Sequence, residues 1–130
     1  MKSVVVVYFS GSGRTHLMAE AIAEGVRQVP DVSVELVRIH GEQIVNGRWQ
    51  DDRAMEKLDR ADAIVFGSPT YMGGVAAQFK AFIDAASSRW FQQAWKNKIA
   101  GGFTSGRAGS PVLQYGEESS FSNFSCHITI

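Results

Sequence analysis

Apolar residues along this chain keep two different rhythms, and the places where one gives way to the other mark the elements. Val4-Val5-Val6-Val7 is an unbroken β-branched run inside a predicted first strand from Ser3 to Phe9. Such a run fits a strand covered on both faces, as in a parallel sheet. From Thr15 to Gln28 the spacing is helical, with Leu17 and Ala21 in one row and Met18, Ile22 and Val26 in the next, until Pro30-Asp31 stops the helix. Val32, Val34 and Leu36 then alternate with Ser33, Glu35 and Val37, the pattern of a strand wetted on one face and so at or near a sheet edge. The polar stretch from His40 to Arg53, with Gly41 and Gly47, reads as a surface loop ahead of a short helix over Ala54 to Arg60. Trp49 within it either covers the core or serves as a lid.

A second near-continuous apolar run, Ala61 to Gly67, predicts the third strand. It ends in the loop Ser68-Pro69-Thr70-Tyr71-Met72-Gly73-Gly74, and a helix follows with Val75, Phe79, Phe82, Ile83 and Ala86 on one face. Lys98 to Thr104 predicts the fourth strand, with Gly101 and Gly102 inside it and Thr104-Ser105-Gly106 at its end. Trp90, Phe91 and Trp95 lie between, as a cluster that packs under the helix or reaches a ligand. Strands alternating with helices predict an α/β, three-layer, doubly wound parallel sheet. A central first strand and an edge second strand give the order 2-1-3-4, which suits the 2-1-3-4-5 arrangement with only Cys126 to Ile130 left to supply a fifth strand. Ligands in such sheets bind beyond the carboxyl ends of the strands where the order reverses, here between strands one and three.

Two unusual loops flank that point. Tyr8-Phe9-Ser10-Gly11-Ser12-Gly13-Arg14-Thr15-His16 joins the first strand to its helix, and unpaired N–H groups at a helix start favour an anion. The ATP/GTP loop does not fit, because Arg14 stands where its lysine belongs and no glycine stands at its head. The dinucleotide pattern begins with Gly11 and Gly13 but then meets His16. What remains is a hydroxyl-rich phosphate loop of Ser10, Ser12, Gly13 and Thr15, or else an ordinary Gly/Ser turn capping a helix. The second loop offers Gly73 and Gly74 for close backbone approach, and Tyr71 and Met72 for packing against something flat.

With 130 residues the chain is one domain, and its 13 basic and 13 acidic residues cancel. That removes the electrostatic case for nucleic acid or an anionic membrane. Cys126 is the only cysteine, no signal-type segment precedes the first strand, and no apolar stretch approaches the ~20 residues of a membrane span. A reducing cytoplasm is the expectation.

Three segments resemble one family when taken in order. They are Ser10-Gly-Ser-Gly-Arg-Thr15 with Met18-Ala-Glu-Ala-Ile22; Gly67-Ser-Pro-Thr-Tyr-Met-Gly-Gly74 with Ala76 to Asp84; and Trp90 through Lys96-Asn-Lys-Ile-Ala-Gly-Gly-Phe-Thr-Ser105. Together they are similar to the NAD(P)H:quinone oxidoreductase and FMN-reductase branch of the flavodoxin-like proteins, the tryptophan-repressor-binding-protein-like group. The resemblance implies noncovalent FMN, with its phosphate at Ser10, Gly11, Ser12, Gly13, Arg14 and Thr15. It sets the isoalloxazine against Pro69, Thr70, Tyr71, Met72 and Gly73, and its pyrimidine edge near Thr104, Ser105 and Gly106. It also implies NAD(P)H as hydride donor, a quinone-like acceptor, and a homo-oligomer (dimer or tetramer) in which Trp90 approaches a neighbouring subunit's flavin. No catalytic side chain and no metal is implied. The alternatives are a flavodoxin-type electron carrier, against which zero net charge argues, and a defective relative.

The resemblance rests on residues 1–106, the expected core. The family continues with a Gly-rich loop, a helix, a fifth strand carrying a histidine, and a last helix. Here the remainder is Gly/Ser-rich, with Ser110, Ser119, Ser120, Ser122 and Ser125, and only Cys126-His-Ile-Thr-Ile130 reads as a strand. The flanks of His127 do not match the family histidine. The expectation is an atypical or truncated tail over 107–130, without a long helix from Arg107 to Ser125.

Overall fold

The structure is a computed structural model that describes residues 1–106. In chain order, β1 (Lys2–Phe9) leads into α1 (Arg14–Arg27) and then β2 (Val32–Ile39). A 3-10 turn at Gly41–Gln43 follows, then a small hairpin of β3 (Ile44–Val45) and β4 (Arg48–Trp49), and α2 (Asp52–Arg60). The chain continues through β5 (Ala63–Tyr71), β6 (Gly74–Val75), α3 (Ala77–Ala85), α4 (Ser87–Gln92) and β7 (Ile99–Ser105). The long strands are parallel in the order β2-β1-β5-β7, with β6 antiparallel on β5. This is the predicted 2-1-3-4 order. The expectations for Arg107–Ser125 and Cys126–Ile130 lie outside the described residues.

β1 is central because both of its faces are apolar. Val5 and Val7 pack with Ile64, Phe66, Val37 and Ile39 on the side of α2 and α3, while Val6 and Tyr8 pack with Ala19 of α1 and with Phe103. β2 alternates exposed Ser33 and Glu35 with more buried neighbours, as an edge strand should. Tyr8 stands level with Arg38 on one side and Gly67 on the other, and Gly67 stands level with Phe103. That row explains the glycine: a Cβ on Gly67 would stand 2.2 Å from the Phe103 ring.

Two expectations about loops are corrected. The stretch from His40 to Arg53 is not an open surface loop. Asn46 and Gly47 both have positive φ (51° and 79°) and close the β3–β4 hairpin, a turn chemistry that the polar composition hides. Trp49 is accordingly core and not lid: it is buried, meets Phe82 edge-on at 5.3 Å, and donates Nε1–H to Gln43 Oε1 at 2.8 Å. Likewise, Ser68 to Tyr71 is strand, because Ser68 and Pro69 stand in register with Thr104 and Ser105 of β7. Met72 and Gly73 (φ 50° and 80°) turn the chain back, so Val75 belongs to β6 and α3 starts only at Ala77.

The connection after α3 is anchored on α2. Asp59 accepts from Arg89 Nε and Nη2 at 3.2 and 3.0 Å and from Trp95 Nε1 at 2.7 Å, and Lys98 Nζ bonds the carbonyls of Asp59 and Ala61. Burial works against the ionised Asp59. The hydrogen bonds from Arg89 and Trp95 and the charges of Arg89 and Lys98 outweigh it and hold the carboxyl below its usual range. Trp95 is therefore core packing. Trp90 is half-exposed on α4 and stacks edge-to-face on exposed Phe91 at 5.0 Å.

Candidate functional site

The turn after β1 is shaped by one buried hydroxyl. Ser10 Oγ accepts from the N–H of Gly13 at 3.1 Å and of His16 at 3.2 Å, which folds Ser10–Gly13 back onto the start of α1. Gly13 can be the N-cap because its φ of 101° suits glycine, and it offers no side chain to cap the helix itself. Among the described residues, the main-chain N–H groups of Gly11, Ser12, Arg14 and Thr15 have no hydrogen-bond partner. By helix geometry those of Arg14 and Thr15 point out of the helix start. The first turn of α1 also contains no acidic residue, and Arg14 occupies its first position. Helix stability prefers the opposite charge there, so the arrangement suits an anion from outside the chain.

One hydrogen bond ties the end of β7 to this turn, and others join the ends of β5 and β7. Thr15 Oγ1, almost fully buried, lies 2.8 Å from Ser105 Oγ at the end of β7. Thr104 Oγ1 donates to the Ser68 carbonyl at 2.7 Å, so in its 2.6 Å contact with Thr70 Oγ1 the threonine on β5 is the donor. Ser68, which the sequence did not single out, is fully buried; its Oγ donates to the Pro69 carbonyl at 2.8 Å and accepts from Ala76 N–H at 2.9 Å, fixing where α3 begins. Pro69 is buried, Thr70, Gly73 and Gly106 are partly exposed, and Ser12 and Arg14 are exposed.

The two loops meet at Gly11 and Tyr71. Tyr71 is half-exposed, and its hydroxyl stands where a side chain on residue 11 would go: a Cβ there would be 2.4 Å away. Met72 is 94% exposed at the hairpin tip. An exposed thioether held in left-handed backbone is costly by conformation and by solvation, and is suited to covering a flat partner. Trp90 takes no part in the Thr15–Ser105 bond or in the bonds between the ends of β5 and β7; its ring stacks on Phe91.

Sequence reasoning missed the layer behind the first loop. Tyr8 OH is hydrogen-bonded to His16 Nδ1, His16 Nε2 lies 2.9 Å from Glu20 Oε1, and Arg38 Nη2 reaches the Ser10 carbonyl at 3.5 Å. Burial raises the pKa of Tyr8; Arg38 opposes that shift and Glu20 adds to it. Of these contacts only His16–Glu20 carried a signal in the sequence, the i, i+4 helical spacing. A separate groove of about 410 Å³, lined by residues including Trp49, Asp51, Met55 and Arg89, contains none of the predicted site residues.

FMN is a fair test of this geometry. Its terminal phosphate needs several free N–H groups beside a positive helix end without an acid in the first turn, and among the described residues Gly11, Ser12, Arg14 and Thr15 provide that set. Comparison with known proteins points the same way. The chain is 45% identical over 104 residues to flavodoxin FldP of Pseudomonas aeruginosa, covering 80% of this chain and 50% of that one. It is 35% identical over 135 residues to an NAD(P)H dehydrogenase (quinone) of Geobacter sulfurreducens, covering 94% and 64%. The chain thus spans about half to two-thirds of the length of these curated relatives. The crystal structure of a flavodoxin, WrbA-like protein from Agrobacterium tumefaciens superposes with a TM-score of 0.76 at 39% identity, over 98% of this chain and 74% of that one. A family model described as NADPH-dependent FMN reductase matches residues 4–129, running past the segments on which the sequence resemblance rests, and the chain belongs to that family.

Proposed function

We propose that this chain forms the FMN-binding part of an oxidoreductase that takes a hydride from NAD(P)H and passes two electrons to a quinone or similar small acceptor. The observation that carries this reading is the set of N–H groups, unpaired among the described residues, at a helix start that has no acid in its first turn. Gly11, Ser12, Gly13, Arg14 and Thr15 would bind the phosphate, with Ser10 shaping the turn. Pro69, Thr70, Tyr71, Met72 and Gly73 would flank the ring, and Thr104, Ser105 and Gly106 would lie at its polar edge. Bound FMN supplies the redox chemistry, accepting a hydride and giving up two electrons. The chain's part would be to bind and orient: the Thr15–Ser105 and Thr70–Thr104 bonds would hold the strand ends beneath the ring, and Tyr71 and Met72 would present polarisable apolar surface to it. No acid–base pair is assigned.

We assign the assembly to a homo-oligomer, dimer or tetramer, in which Trp90 reaches a neighbouring subunit's flavin. Its half-exposed ring, braced on Phe91, supports that role. No described helix is long and apolar enough to cross a membrane, and the single cysteine suits a reducing cytoplasm. A second reading, an electron carrier without nicotinamide turnover, is favoured by the Pseudomonas relative named a flavodoxin. Zero net charge disfavours it, because docking carriers rely on charge complementarity. Stopped-flow mixing of FMN-loaded protein with NADH or NADPH, then with a quinone, decides between them. Rapid loss and quinone-dependent recovery of the flavin absorbance is expected; no reduction by either nicotinamide would favour the carrier.

A further inference from the structure

We propose that His16 is a positioning residue of the phosphate seat, its ring fastening the first turn of α1 to β1 so that the unpaired N–H groups at the turn keep their alignment. This rests on the FMN reading above.

His16 is held at three points. Its main-chain N–H donates to Ser10 Oγ, the hydroxyl that also receives Gly13 N–H, so one end of His16 is part of the turn itself. Its ring lies 5.7 Å from the Tyr8 ring, with Nδ1 on the Tyr8 hydroxyl and Nε2 on Glu20. Tyr8 is 1% exposed on the central strand, between Arg38 and Gly67, and burial keeps its proton on. The Glu20 carboxylate can only accept, so Nε2 carries the N–H that faces it, and in the neutral ring Nδ1 is then the acceptor of the Tyr8 O–H. The chain of bonds has one sense and satisfies each member, so the imidazole has a single favoured orientation.

The consequence is mechanical. Arg14 and Thr15, whose N–H groups face outward, immediately precede His16, and Thr15 is fastened from the other side by Ser105. Between them, Tyr8 and Ser105 tie the first turn to two different strands. Arrays of N–H donors bind an anion tightly only when they are held in place beforehand. If His16 merely stapled the fold, its loss would lower stability and weaken every flavin alike. A positioning role weakens phosphate recognition selectively.

The test compares FMN with riboflavin, which lacks the phosphate, by fluorescence titration of the full chain. Wild type should prefer FMN; no preference would sink the phosphate reading itself, whatever His16 does. Given that preference, His16→Leu should weaken FMN roughly fivefold to tenfold, about the worth of one hydrogen bond, with riboflavin within about twofold. His16→Asn, which keeps an acceptor at the position of Nδ1, should recover most of the loss. Tyr8→Phe combined with His16→Leu should be no worse than His16→Leu alone, since the two share one interaction. The ³¹P resonance of bound FMN should shift in His16→Leu and return in His16→Asn. Equal losses for both ligands, or identical behaviour of Leu and Asn, would overturn the proposal. If His16→Leu does not fold, His16→Gln, which keeps reach toward Glu20 but not the Nδ1 acceptor, carries the same comparison.

Discussion

Helices α1 and α2 begin in opposite ways. α2 meets its own needs: Asp51 accepts from Ala54 N–H at 3.1 Å, Asp52 puts negative charge in the first turn, and Lys57 and Arg60 complement the last. α1 opens on a left-handed glycine with no side-chain cap from that residue, no acid, and an arginine first. Ser10 satisfies only the N–H groups of Gly13 and His16. Since caps and first-turn acids each stabilise a helix by about 0.5–2 and 0.3–1 kcal/mol, leaving them out of α1 is a stability deficit that an external phosphate would offset. On the FMN reading proposed above, the difference teaches that an anion site is marked as much by the acids withheld from a helix start as by the glycines placed there.

The largest expected effect lies on the self-satisfied side. Asp59→Ala strands the buried Trp95 Nε1–H and releases Arg89, and should cost about 2–3 kcal/mol in urea unfolding while leaving FMN affinity unchanged. It should also alter the response to acid. Because the folded-state pKa of Asp59 is depressed, its contribution is present above the unfolded value of about 3.9 and is lost as pH falls through the lower folded value. Wild type should therefore lose stability more steeply below about pH 4 than the variant does.

Arg14→Glu breaks the comparison directly by giving α1 the first-turn acid that α2 has. Folding stability should rise slightly, and FMN affinity should fall by about 1–2 kcal/mol with riboflavin little changed. An equal fall for both flavins would show that the helix start does not meet the phosphate. The reciprocal change, Asp51→Ala, should lower the unfolding free energy by about 1 kcal/mol and leave both titrations where they were. The smallest effect is expected at the hairpin. Tyr71→Ala should weaken FMN and riboflavin alike by about 0.5–1.5 kcal/mol and perturb the flavin's visible spectrum, because a ring contact does not read the phosphate.

Much of the architecture was legible in the chain. The four valines of β1, the helical rows of α1 and the alternation in β2 each report how many faces of an element are covered, and that fixed which strand is central and which lies at the edge. The hydroxyl-glycine turn was legible for the same local reason: its residues are neighbours in sequence. Asn46-Gly47 was readable as a hairpin turn but was masked by polar surroundings, whereas Met72-Gly73 carries no usual signal for the same turn. What only the tertiary structure decided are the partnerships set by register: Thr15 with Ser105, Thr70 with Thr104, Tyr71 over Gly11, and Tyr8 with His16. Periodicity records whether a position is buried, and turn chemistry records where the chain can reverse. Neither records which side chain from another strand arrives beside it, because that depends on sheet register and on the height at which each helix packs.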